Sequence, residues 1–246
     1  MAGSWDVFSP PVSVGSFACD TMLLLTDGSV LVHNAYGADW LRLTPDIHGN
    51  YSTGSWSGRL PMSNSRQFFS SAVLRDGRVY VLGGEYSSAG GDTPLGEIFD
   101  PSSNSWSALT KPAEFNYIQG DASGTVLSDG RVLLGDLHGS SPPFKTAIWN
   151  PSDGTWTPAG SNFGVLPNDT KQDACNEETW TLLPDGSVLT VEVWNPPRAE
   201  RYVPSIDEWV SAGSTPTNLP IESITDPHGN DIGVFEIGPA LSLIHI

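Results

Sequence analysis

Four copies of one cassette, each about fifty residues after the last, govern what this chain can fold into. Each copy has an apolar run, an Asp-Gly, a second apolar run, and then a Pro and a Trp. The Asp-Gly pairs are Asp27-Gly28, Asp76-Gly77, Asp129-Gly130 and Asp185-Gly186, in steps of 49, 53 and 56. Trp56, Trp106, Trp156 and Trp209 follow in steps of 50, 50 and 53. Two landmarks keeping one period through four copies require a repeated supersecondary unit, and a period near 50 is that of a propeller blade. The expected fold class is therefore all-β. It is an incomplete propeller of four four-stranded blades, at about 17–61, 66–110, 119–160 and 174–213, in one domain over residues 1–240.

The second copy shows the logic of a blade. Phe69-Ser-Ser-Ala-Val-Leu74 reads as an inner strand and Arg78-Val-Tyr-Val-Leu82 as its partner. Asp76-Gly77 reads as a two-residue primed turn, whose central residues need positive φ. Gly83-Gly84 follows, where missing side chains let neighbouring backbone approach. Glu97-Ile-Phe-Asp-Pro101 is the third strand and Trp106 marks the fourth. Phe99, Trp149 and Tyr202 each stand two residues before a Pro, and Leu43 holds that place before Pro45. Periodic aromatics of this kind read as packing between blades, and the hairpin acids as turn formers.

The ends read differently. Residues 3–9, with Trp5, look like an outer strand without a blade of its own, of the kind that closes a propeller ring. A truncated fifth blade is expected from about residue 234, after the tight polar turn Asp226-Pro-His-Gly-Asn-Asp231. Leu241–Ile246 matches one reading frame of a transposon-based sequencing adapter, so it is set outside the fold.

Charge narrows the function. The chain has 28 acids against 11 bases, a net −17, which repels nucleic acid and anionic lipid. No apolar stretch approaches a spanning length, so membrane insertion is not expected. Cys19 and Cys175 are too few for a disulfide framework. No basic-then-apolar leader opens the sequence, although acidity and Gly, Pro and Trp content suit an extracellular or periplasmic protein. A monomer is expected. Zinc spacings, phosphate-binding loops and nucleophile elbows are lacking.

The Asp-Gly hairpins, Gly83-Gly84 and the Trp set resemble a kelch-type propeller, specifically the central propeller of galactose oxidase and related copper-radical oxidases, over residues 3–240. That resemblance implies a Cys eight residues before the first hairpin Asp, bonded to a Tyr eight before the next. Cys19 holds the first position, but the second is Phe68, within Arg66-Gln-Phe-Phe-Ser-Ser71. Phenylalanine has no phenol oxygen, so copper and its radical are not expected.

The positions eight before each hairpin Asp are Cys19, Phe68, Asp121 and Glu177, which should ring the mouth of the channel. Asp20, Asp173 and Glu178 lie beside that ring, and His33 and His138 follow second strands on the same face. Such acids suit Ca²⁺ or acid–base work, with Asp121 and Glu177 the catalytic candidates. Solvated carboxylates in an open channel are the plainer reading, and no cofactor is expected. Tyr86, Tyr117 and Phe163 in long loops suit stacking against a sugar. The sequence thus favours a non-catalytic binding module for a carbohydrate or protein ligand at the mouth. The alternatives are an oxidase-derived enzyme or metal-assisted lyase or hydrolase, or a structural propeller of a larger exported protein.

Overall fold

The computed structural model describes residues 10, 17–35, 37–88, 90–111, 120–136, 146–160, 171–219, 223–225 and 231–233. Four antiparallel four-stranded sheets form the framework. The first comprises β1 (Cys19–Leu24), β2 (Val30–Asn34), β3 (Trp40–Thr44) and β4 (Ser55–Trp56). The second comprises β5 (Ser70–Val73), β6 (Val79–Leu82), β7 (Gly96–Asp100) and β8 (Ser105–Leu109). The third has β9 (Gly124–Val126), β10 (Val132–Gly135), β11 (Thr146–Trp149) and β12 (Trp156–Ala159). The fourth has β13 (Thr181–Leu182), β14 (Val188–Val191), β15 (Arg198–Val203) and β16 (Glu208–Ser214). Each runs inner strand to outer strand in chain order, as a blade must. No helix of the described residues is long and apolar enough to cross a membrane.

A two-stranded hairpin of β17 (Ser223–Thr225) and β18 (Asp231–Gly233) precedes residue 234, so ordered pairing begins earlier than the sequence suggests. The closing strand at 3–9, the loop 226–230 and residues 234–246 lie outside the described residues.

The four hairpins share one geometry, and it is not the two-residue turn. In the first, Gly28 N donates to Leu25 O (3.0 Å) and Leu25 N to Ser29 O (2.8 Å). The same pair of bonds recurs at Leu74–Arg78, Leu127–Arg131 and Leu183–Ser187. Only the glycines are left-handed, with φ of 81°, 89°, 91° and 84°; the preceding acids are not. That is the three-residue hairpin, an ordinary turn followed by a glycine bulge. The acid serves differently from the expectation: its Oδ1 accepts the backbone N–H two residues on, at 2.9–3.1 Å in all four copies. Its other oxygen meets an arginine, in the pairs Asp27–Arg42, Asp76–Arg78, Asp129–Arg131 and Asp185–Arg201. Arg42 and Arg78 reach on to the Pro101 and Pro151 carbonyls of the next blade (2.8 and 2.9 Å).

The indoles stand at equivalent points. Trp56, Trp106, Trp156 and Trp209 lie directly opposite Leu43, Phe99, Trp149 and Tyr202 in their sheets. Three of them donate Nε1–H to the preceding blade: Trp106 to Leu60 O (3.0 Å), Trp156 to Thr110 O (3.2 Å) and Trp209 to Thr146 Oγ1 (3.1 Å). The buried apolar residues form three clusters, one at each joint between successive sheets. Inner strands accordingly neighbour in order, β1 beside β5, β5 beside β9 and β9 beside β13. On β1, Leu23 packs into the first joint while Met22 and Leu24 point the other way, 67% and 63% exposed.

Gly84 shows why one blade keeps a double glycine. Its φ is +105°, and a Cβ there would sit 2.8 Å from Gln67 O and 3.0 Å from the Arg66 side chain. Replacing Gly84 with Ala is expected to lower stability by ~1–3 kcal/mol, read as a reduced urea midpoint with unchanged slope. An unchanged midpoint would show that the close approach is dispensable.

Candidate functional site

Inner strands begin, and second strands end, on the face opposite the Asp-Gly hairpins, so both kinds of loop meet there. The blades are stitched together at this mouth. Gln67 Nε2 donates to Ala35 O, Gly84 N to Gly120 O (2.6 Å), and Ser123 N to Cys175 O (3.0 Å). The stitches set the candidate residues in a row across blades two, three and four.

The row begins with an aromatic pair. Phe68 and Tyr86 meet edge to face with ring centroids 6.1 Å apart, and are 56% and 69% exposed. Both have left-handed backbone, φ 51° and 48°, a conformation that bulky residues adopt only under constraint. The constraint is the isolated bridge Gln67↔Glu85, which fixes the neighbour of each. Beside the pair lies a cleft of about 190 Å³ lined by Ala35, Gly37, Ser65, Arg66, Gln67 and Tyr86. Arg66 is buried and spends Nη1 and Nη2 on Gly83 O, Leu95 O and Glu97, but its Nε has no hydrogen-bond partner among the described residues.

The row continues with acids. The antiparallel bridge Ala122↔Asn176 places Asp121 and Glu177 at adjoining positions of blades three and four. Asp121 Oδ1 is buried without a hydrogen bond among the described residues, and Glu177 has left-handed backbone, φ 62°. The two catalytic candidates are thus neighbours in the backbone.

The other candidates have other surroundings. Asp20 bonds His33 Nδ1 (2.8 Å), while His33 Nε2 faces Gly37 O (3.0 Å). The imidazole is fully buried between Trp40 and Phe69, and so is a wall of the mouth rather than a ligand. Cys19 is an exposed free thiol, pushed above its ordinary pKa by partial burial and by Asp20, which makes it a poor nucleophile. Cys175 is fully buried and outside any disulfide; burial pushes its thiol up strongly. Asp173 and Glu178 are not solvated acids of the mouth. Asp173 caps Ala174 N and Trp194 N, at 3.0 Å each. Glu178 accepts from Lys171 Nζ (2.8 Å) and Trp180 Nε1 (2.9 Å) inside blade four. His138, Tyr117 and Phe163 lie outside the described residues.

Sequence reasoning missed Arg66 and Lys171, each buried against a third-strand glutamate: Arg66 on Glu97 (3.1 Å) and Lys171 on Glu200 (3.0 Å). The signal was present. Both glutamates stand two residues before the third-strand aromatic, in Glu97-x-Phe99 and Glu200-x-Tyr202.

A copper centre of the oxidase kind needs a phenolate where Phe68 supplies only a benzyl ring, so the donor set at that position does not fit the metal. Among the described residues no group of three or more His, Cys, Asp or Glu is placed to hold a metal ion.

A Kelch motif is matched over residues 68–113, the second blade. Galactose oxidase of Gibberella zeae is 32% identical over 126 residues, 48% of this chain and 18% of that protein. An F-box/kelch-repeat protein of Arabidopsis thaliana is 27% identical over 143 residues, 56% of this chain and 34% of its own length. The alignments therefore span well under two thirds of these relatives. A fungal alcohol oxidase structure in complex with copper superposes with a TM-score of 0.47 at 15% identity, covering 81% of this chain and 53% of that one. With its four repeated sheets and its Kelch motif, the chain is a kelch-type propeller chain that resembles galactose oxidase.

Proposed function

We propose that this chain is a non-catalytic kelch binding module that takes a carbohydrate on its mouth face, stacked against Tyr86 and Phe68. The observation that carries the reading is the exposed aromatic pair beside a cleft lined by Ser65, Arg66 and Gln67. An aromatic face held rigid by its backbone stacks on the C–H face of a sugar at little entropic cost. A glycan array followed by calorimetry tests the reading. Phe68→Ala and Tyr86→Ala should each weaken the best glycan at least about tenfold, the equivalent of 1.4 kcal/mol, while leaving the unfolding free energy within ~0.5 kcal/mol of wild type. Binding unaffected by both changes would refute the proposal; retention of a peptide but no glycan would assign the same surface to a protein partner.

A second reading rests on the adjoining Asp121 and Glu177, which would serve as the acid and base of a reaction at the mouth. It predicts turnover that Asp121→Ala abolishes without loss of ligand binding. Turnover that survives this change removes Asp121 from the chemistry.

A further inference from the structure

Blade four buries more carboxylates than its cations balance. Lys171 Nζ bridges Glu178 (2.8 Å) and Glu200 (3.0 Å), and Glu200 also accepts Gln172 N (2.9 Å). Asp173 accepts two backbone N–H groups. Glu192, just past β14, is 1% exposed, and neither of its oxygens has a hydrogen-bond partner among the described residues. Arg198 Nε lies 3.4 Å away, at the rim, as an ion-pair contact only. Glu192 therefore faces Glu200 and Arg198 from β15, and Asp173 and Lys171 from the segment before β13. Four acids against two cations leave an excess of two negative charges if all ionise. Burial raises Glu178 as well, but Lys171 and Trp180 donate to its carboxylate. Glu192 has no hydrogen bond among the described residues to offset its desolvation, so it is the member that gains most by holding a proton.

The residue two further on gives this proton a consequence. Trp194 is half exposed on the mouth face; its backbone N–H rests on Asp173 (3.0 Å) and its indole N–H on Asn176 (3.0 Å). We propose that Glu192 is a proton-operated latch for the Trp194 loop: the neutral acid lets residues 192–195 lie against Asp173 and Asn176, and its ionisation drives the loop outward. Burial, then the Glu200 charge, pushes the Glu192 carboxyl up to about 7, which puts the switch in the neutral range. The folded protein holds this proton more tightly than an unfolded chain. The associated stability is complete below the ordinary value of 4.5 and is lost as pH rises through about 7.

The test follows Trp194 fluorescence, taken as the difference between the protein and its Trp194→Phe variant, from about pH 5 to pH 9. The latch predicts a one-proton transition near neutrality, absent from Glu192→Gln, which keeps the low-pH signal throughout. A flat difference signal, or a transition that persists in Glu192→Gln, overturns it. Should Glu192→Gln fail to fold, amide exchange of Trp194 in the unaltered protein decides. Protection lost above neutrality, beyond the intrinsic base-catalysed rise, supports the latch, and protection kept to about pH 9 refutes it.

Discussion

Replacing Lys171 with Met is expected to destabilise the protein by roughly 3–5 kcal/mol, among the largest effects of any single change. The ammonium is fully buried and, among the described residues, is the one cationic partner of both Glu178 and Glu200. These two acids hold it charged, raising Lys171 above its ordinary pKa against the opposing cost of burial. Methionine fills the same volume but strands both carboxylates in a dry interior, where neither can ionise without a large penalty. The loss should therefore depend on pH. Burial already pushes Glu178 up to about 7 with the lysine present, so the stranded acids take protons as pH falls, and the deficit narrows from pH 8 to pH 5. Urea denaturation at both pH values reads the effect. Pairing Lys171→Met with Glu200→Gln should recover part of the deficit, since one stranded charge is removed. A loss under ~1 kcal/mol, or one that grows on acidification, would mean that the network is not the keystone of blade four.

Trp209→Ala is expected to cost about 3–5 kcal/mol by leaving a cavity at the joint between blades three and four. The ring is buried between Trp180 and Tyr202, with centroids at 5.3 and 5.5 Å, and Lys171 Nζ lies 5.4 Å from its centre. Its N–H reaches Thr146 of the preceding blade. Trp209→Phe keeps most of the packing and loses that bond, leaving Thr146 Oγ1 with its own donation to Ala159 O; about 1 kcal/mol should be lost. Trp56, at the equivalent point of blade one, is only partly buried, and its removal should cost clearly less. Thermal or urea unfolding of the three variants orders these effects. Equal losses at Trp56 and Trp209 would contradict the docking of each blade on the one before it.

These sites show what the sequence could and could not convey. The hairpins and indoles were legible because each demands a residue type at a fixed place: glycine where φ is positive, and a large flat ring opposite Phe99, Trp149 or Tyr202. A second such mark went unread. Asn104, Gly154 and Asp207, each two residues before its Trp, are all left-handed, a position that suits Asn, Gly and Asp. The turn type was misjudged because Asp-Gly is compatible with both hairpins. The one-residue difference between them rests on the acid's backbone, which the aspartate's own cap to the residue two on decides. Buried charges were the larger gap. Glu178 and Asp173 read as acids of a solvated mouth, and Glu192 drew no reading, since an isolated acid carries no sign of the lysine that will fold over it. Phe68 was legible as a mouth residue and Tyr86 as a loop aromatic, but their pairing across eighteen positions depends on the bridge between Gln67 and Glu85.

The mouth exists as one surface only if successive blades are docked in register through their indoles. Hydrogen exchange of the indole N–H protons, followed by NMR on ¹⁵N-labelled protein, measures this most directly. The bonds from Trp106, Trp156 and Trp209 to the preceding blade predict three indole protons that exchange slowly and lose protection together on global unfolding. Exchange of any of them at the rate of free indole would contradict the arrangement of blades, and the row of ligand-facing residues would lose its basis.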